Sequence, residues 1–191
     1  VRRQLRVESL TLRDRISTEE RHEISERIIA ILEPYLTVRQ AKFIHCYISF
    51  RSEVETRSFI ERSLERGIRV VVPVVEMLDG KELLVHTEIR GLTELKKGRF
   101  GLEEPIERSP SSLENLDAVL IPLAAFDRNG TRLGYGKGFY DEFLSQLPRS
   151  VERIGLAFAS QEVNNIPAEP HDEPLDTVVT EREIIRIREI A

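Results

Sequence analysis

The chain has 191 residues, enough for one domain with a core of its own. With 40% hydrophobic and 32% charged residues it reads as globular and soluble rather than disordered, and no apolar run approaches the ~20 residues a membrane span needs. A formal net charge of −5 argues against a nucleic-acid binder, and a single cysteine, Cys46, excludes an internal disulfide and a cysteine-rich zinc site.

The start, Val1-Arg2-Arg3-Gln4-Leu5-Arg6, is basic but leads into no apolar h-region, so no secretory leader is read and a cytoplasmic protein is expected. Residues 2–15 lack Gly and Pro and read as a helix whose arginines, for the most part, form a solvated face. Ser17 and Glu20 form a capping-box signature ahead of a second helix. In it Ile24, Ile28, Ile31 and Leu32 recur at helical spacing, and Pro34 is expected to close it. Phe43–Ile48 is short, apolar and β-prone, hence a buried strand. A helix over Thr56–Arg66 ends at Gly67, and Ile68–Val75 gives the next strand. The strand–helix–strand unit predicts a parallel pair. Asp79-Gly80 marks a hairpin turn into Leu83-Leu84-Val85.

Residues 88–115, with Gly91, Gly98, Gly101, Pro105 and Pro110, are weakly patterned and read as a long surface excursion. Ala118–Leu123 restores a buried strand. A glycine-rich segment, a helix over Phe139–Leu147 and strands at Arg153–Phe158 and Thr177–Thr180 complete the pattern. The alternation predicts an α/β, Rossmann-like single domain of three layers: an open, mostly parallel mixed sheet with helices on both faces. In such sheets ligands bind at the carboxyl ends of the strands, where the glycine segment falls.

That segment runs Phe126-Asp127-Arg128-Asn129-Gly130-Thr131-Arg132-Leu133-Gly134-Tyr135-Gly136-Lys137-Gly138-Phe139-Tyr140-Asp141. Its glycines let the backbone approach a ligand and aim several amides at it, the next helix starts there, and Arg132 and Lys137 add full charges, a set suited to a polyphosphate. The spacing is neither the dinucleotide fingerprint nor a P-loop, since Lys137 is followed by Gly138. From composition alone the stretch reads equally as a flexible turn. Asp141 is either dipole compensation in the first helical turn or a magnesium ligand beside phosphates. His22 reads as solvated and His45 as a satisfied core histidine. His86 ends a hairpin strand, His171 neighbours Asp172, and Cys46 reads as a buried hydrophobe. No histidine pair has metal-site spacing and no nucleophile elbow occurs, so covalent catalysis has no support.

The stretch Pro122-Leu123-x-x-Phe126-Asp127-x-x-Gly130-x-Arg132-Leu133-Gly134-x-Gly136-x-Gly138-x-Tyr140-Asp141 resembles the signature of the 5-formyltetrahydrofolate cyclo-ligase family, also called 5,10-methenyltetrahydrofolate synthetases. The start of the chain is similar to that family's basic ATP-contacting segment, and Ile48-Ser49 with Glu53-Val54-Glu55-Thr56 looks like its substrate segment. Asp172 lies where the family has a second magnesium-associated acid. Arg2 departs from the family's usual Lys at that contact, and Tyr135 stands where some relatives carry Arg.

The resemblance implies ATP- and Mg²⁺-dependent conversion of 5-formyltetrahydrofolate to 5,10-methenyltetrahydrofolate, with release of ADP and phosphate. The γ-phosphoryl group passes to the formyl oxygen, and the folate nitrogen at position 10 then attacks the carbon. It further implies that Arg132 and Lys137 are catalytic. ATP is held by Arg2, Arg3, Arg6, Arg132, Leu133, Gly134, Tyr135, Gly136, Lys137, Gly138, Phe139 and Tyr140. Ile48 and Glu53 meet the folate, and Asp141 and Asp172 the metal. The partners expected are these small molecules alone, with no nucleic acid and no membrane, for a monomer. Two other readings stay open: a nucleotide- or folate-binding regulator without turnover, and a sugar-phosphate isomerase-like enzyme on a similar sheet.

Overall fold

The computed structural model of the chain describes residues 1–93, 95–109 and 111–189. Helix α1 (Arg2–Asp14) forms over the Gly- and Pro-free start. Ser17 caps α2 (Thr18–Val38), its hydroxyl accepting from the Glu20 amide at 3.1 Å and satisfying one of the free amides of the first turn. Pro34 does not end this helix, contrary to the expectation. A proline removes the bond to the carbonyl four residues earlier, here that of Ala30. Both Ala30 and Pro34 lie on the exposed side, where water can take up that carbonyl, while Tyr35 and Leu36 just beyond are buried. Burial of those two side chains offsets a penalty of about 3 kcal/mol.

Strand β1 (Phe43–His45), helix α3 (Arg57–Glu65) and strand β2 (Arg69–Leu78) make the expected parallel unit. Asp79 and Gly80, with φ of 49° and 79°, form the two-residue turn into β3 (Lys81–Ile89), which pairs antiparallel with β2 along its whole length. His86 is therefore inside a strand rather than at its end. The 88–115 excursion is more ordered than its composition suggests. It contains β4 (Leu95–Lys97), a tight turn at Arg99–Gly101 and β5 (Glu103–Pro105), with β4 and β5 antiparallel. Pro110, noted as a breaker there, lies outside the described residues.

Strand β6 (Ala118–Pro122) leads to a miniature hairpin of β7 (Ala125–Phe126) and β8 (Arg132–Leu133), then to α4 (Phe139–Ser145), β9 (Glu152–Leu156), β10 (Thr177–Val179) and β11 (Ile184–Arg186). β11 carried no sequence signal of its own. The Thr180 hydroxyl accepts from the Arg182 and Glu183 amides, each at 3.2 Å, and this local turn folds β11 back on β10.

The main sheet has the order β11-β10-β9-β6-β1-β2-β3. Its inner strands are parallel, and the two edge strands β3 and β11 are antiparallel. Successive side chains alternate between faces. Ile44, Val70, Leu120 and Ile154 pack against Ile28, Leu32, Phe59 and Ile60 of α2 and α3. Phe43, Val71, Val119 and Ile121 face Phe143 and Leu144 of α4. Both faces are thus covered, as parallel strands require. Helix α1 lies instead across the carboxyl end of the sheet, where Leu5 and Leu10 pack on Ala125, Leu133 and Ile166. Among the described residues no helix is long and apolar enough to cross a membrane.

Candidate functional site

Strand β1 has β2 on one side and β6 on the other, so the chain leaves their carboxyl ends in opposite directions. This switch point is where open α/β sheets hold ligands. Two segments meet over it. The loop after β1 carries Ile48 and Glu53, both buried. The segment after β6 carries the glycines.

Asp127 shapes the second segment. Its carboxylate is fully buried and accepts from the Asn129, Thr131 and Ile166 amides at 2.9, 3.0 and 2.8 Å, closing the β7–β8 turn. Gly136 and Gly138 then take φ of 92° and 73°, left-handed conformations that a side chain strains. A Cβ at Gly136 would also press within 3.4 Å of the Arg6 guanidinium. Helix α4 has only seven residues, so bare loop amides contribute more to this cradle than a helix dipole does.

Helix α1 clamps the two segments together. Its positions 2, 6, 9 and 13 share one stripe, and Arg13 on that stripe is 1% exposed. The Arg13 guanidinium donates to Ser52 Oγ at 3.0 Å, to the Leu123 carbonyl at 3.0 Å and to the Tyr135 hydroxyl at 2.6 Å. One side chain therefore links the β1 loop, the end of β6 and the cradle. The solvated-face reading fails at this residue, and the 4-3-4 spacing of Arg2, Arg6, Ser9 and Arg13 is the signal that marks it. Arg6 Nε donates to the Gly134 carbonyl at 2.7 Å, whereas Arg3 is exposed, off the stripe.

The acids sit among these cations. Arg132, also buried, donates to Asp141 at 2.8 Å and to the Glu173 carbonyl, and the Glu173 amide donates to Asp141 at 3.1 Å. Burial pulls the Arg132 guanidinium below its ordinary value, and Asp141 opposes this. Arg2 grips Asp172 with two hydrogen bonds of 2.6 and 2.9 Å and also donates to the Pro167 carbonyl at 2.7 Å. Burial pushes the Asp172 carboxyl up, but Arg2 and the Glu169 amide outweigh it and hold it low. Lys137 donates to Glu82 at 3.1 Å.

Both acids suit a divalent cation. Asp141 uses one oxygen, Oδ1, for its two hydrogen bonds, and a carboxylate oxygen is the hard donor that magnesium prefers. Asp172 lies beside Glu169 and His171, and both its oxygens are taken by Arg2.

Burial pushes the Glu53 carboxyl up to about 7, against the Phe50 amide, Arg13 and Tyr135, which favour its charge. The Phe50 amide donates to it at 2.8 Å. Burial also raises the Tyr135 phenol to about 12, with the nearby Glu53 charge adding to the effect. Tyr140 is on the core side of α4, and its buried hydroxyl has no partner among the described residues.

His45 is a core residue but not a satisfied one: among the described residues neither ring nitrogen finds a partner, and nor does His86 Nδ1. The two rings lie 5.2 Å apart, with Phe143 packed against both. Burial holds both imidazoles below their ordinary value, His86 at about 4. His22 is exposed and meets Glu55 at 2.9 Å. Cys46 is buried with its thiol pushed up by desolvation, so it is not poised as a nucleophile.

The profile of the 5-formyltetrahydrofolate cyclo-ligase family matches residues 1–181. A 5-formyltetrahydrofolate cyclo-ligase of Haemophilus influenzae is 33% identical over 177 residues, covering 91% of this chain and 94% of the relative. The solution structure of a 5,10-methenyltetrahydrofolate synthetase from Aquifex aeolicus superposes with a TM-score of 0.84 at 29% identity, over 98% of this chain and 93% of that one. A 5,10-methenyltetrahydrofolate synthetase from Mycoplasma pneumoniae gives 0.77 at 27% identity, over 94% and 98%. With the whole fold, the glycine signature and this extent of similarity in agreement, the chain belongs to the 5-formyltetrahydrofolate cyclo-ligase family.

Proposed function

We propose that the protein converts 5-formyltetrahydrofolate and ATP to 5,10-methenyltetrahydrofolate, ADP and phosphate, with magnesium as cofactor. The observation that carries this is the Arg13 clamp. It fixes the loop bearing Ile48 and Glu53 against the glycine cradle at the switch point, so two ligands held there would lie side by side. One domain and one chain supply every residue of the site.

A formyl oxygen leaves poorly, and its carbon is a weak electrophile. Phosphorylating that oxygen cures both faults, and the protein's task is alignment and charge neutralisation. The amides of Gly134, Gly136 and Gly138 with Lys137 and Arg132 receive the phosphates, and Arg2 and Arg6 exchange Asp172 and the Gly134 carbonyl for the nucleotide. Asp141 and Asp172 would hold magnesium, which would supply charge neutralisation for the phosphates when bound. Ile48 packs on the pterin, and Glu53 accepts hydrogen bonds from its ring nitrogens.

The test is methenyl-folate absorbance from 5-formyltetrahydrofolate, with and without ATP and Mg²⁺. Absorbance that grows only when both are present supports the reading. Nucleotide binding without phosphate release would instead favour a regulator, and turnover without ATP an isomerase-like enzyme.

A further inference from the structure

The turn at Arg99–Gly101, between β4 and β5, lies against the site. Phe100 at its centre is a non-glycine residue with φ of 59°, half exposed, a costly conformation that the flanking β4–β5 pair holds in place. The turn touches both halves of the site. A Cβ on Gly101 would stand 3.9 Å from the ring of Phe50, in the loop that carries Glu53. The Phe100 ring lies 5.0 Å from the Lys137 ammonium, in the glycine cradle. Arg99 NH2 reaches Glu82 on β3 at 3.0 Å, and Lys137 Nζ reaches the second oxygen of the same carboxylate at 3.1 Å. Two cations thus share one acid and leave a net positive charge at the seam between the two segments.

We propose that Arg99 is a further phosphate-binding residue, directed at the terminal phosphate, and that Glu82 is a positioning residue that holds Arg99 and Lys137 side by side. The proposal rests on the nucleotide reading above. The seam is where a group passing from nucleotide to folate must lie, and a guanidinium there meets the transferring phosphoryl oxygens rather than the inner phosphates. An ordinary exposed ion pair would contribute little and would need no strained turn to deliver it. Glu82 occupies both cations before the nucleotide arrives and keeps them from collapsing elsewhere.

Calorimetry on the full chain, with Mg²⁺, separates the outcomes. Arg99→Gln is expected to weaken a non-hydrolysable ATP analogue about tenfold while changing ADP affinity less than about twofold. Arg99→Lys should recover part of the loss. An unchanged analogue affinity, or equal losses for both nucleotides, overturns the assignment to the terminal phosphate. Glu82→Gln should keep analogue affinity within about twofold yet lower kcat at saturating ATP about tenfold, and an unchanged kcat overturns the positioning role. Wild-type protein that binds neither nucleotide would sink the underlying reading, a result distinct from the failure of Arg99 alone.

Discussion

Lys137 and Asp141 are both partly exposed, and each has a stand-in partner, Glu82 and Arg132. Neither belongs to the core, so Lys137→Ala and Asp141→Ala should fold normally. Each should cut turnover by about two orders of magnitude or more if it stabilises transferring phosphate charge. Near-wild-type turnover in either variant removes that residue from the site. Glu53 makes a different, thermodynamic prediction. Its carboxyl rises from 4.5 to about 7 in the folded state. Between those values the folded chain holds a proton that the unfolded chain has released. Its stabilising contribution is therefore complete below pH 4.5 and is lost as pH rises through 7, by about 3 kcal/mol. Glu53→Gln should gain on the wild type by that order between pH 4.5 and 7.5 in urea unfolding, and parallel midpoints would contradict it. Residue types at the site were legible because the glycine signature is local. Arg99, Glu82 and Arg13 were not, since each acts through partners distant in sequence: Arg13 meets Tyr135 across 122 positions.

Among the elements, α1 is a helix whose fully buried side chains, Ser9 and Arg13, are polar, so it rests on what Arg13 holds. Arg13→Ala removes three hydrogen bonds and a positive charge that favours ionised Glu53, although the Leu123 carbonyl keeps Gln161 and Ser52 keeps Asp14 as partners. A loss of about 3 kcal/mol in chemical denaturation is expected, with Arg13→Lys recovering little because an ammonium cannot reproduce the three-way fork. Equal stability of wild type and Arg13→Ala would show that the clamp is idle. The periodic helices and buried strands were readable from spacing. Three features escaped for physical reasons. Pro34 is outvoted by the burial of Tyr35 and Leu36 beyond it. β11 is specified by a threonine turn and not by its own three residues. The β4–β5 pair is short and rich in charge, so its pattern resembles that of a loop.

At the scale of the whole molecule, opposing titrations meet under one sheet. His45 and His86 are held neutral by burial, His86 falling from 6.5 to about 4. Their contribution is complete above pH 6.5 and is lost as pH falls through the folded value. Glu53 slopes the other way across much of the same window. With two imidazoles set against one carboxyl, the wild type should still lose stability as pH falls from 6.5 to 4.5, but less steeply than the imidazoles alone would dictate. Glu53→Gln should steepen the acid loss and His86→Gln should reduce it, as read from thermal midpoints in a pH series. Matching profiles for all three proteins would refute this balance. The open, mostly parallel sheet followed from the strand–helix alternation, whereas this balance depends on depth, which spacing does not encode. The grip of Arg2 on Asp172 has one more consequence. The two residues stand 170 positions apart. On a ribosome adding about 5–20 residues per second, Arg2 emerges roughly 10–30 s before its acid is made. Arg13 can meet Ser52, Leu123 and Tyr135 earlier, but the outer end of the first helix waits for Asp172, so a product cut short before that residue carries a cradle with its latch missing.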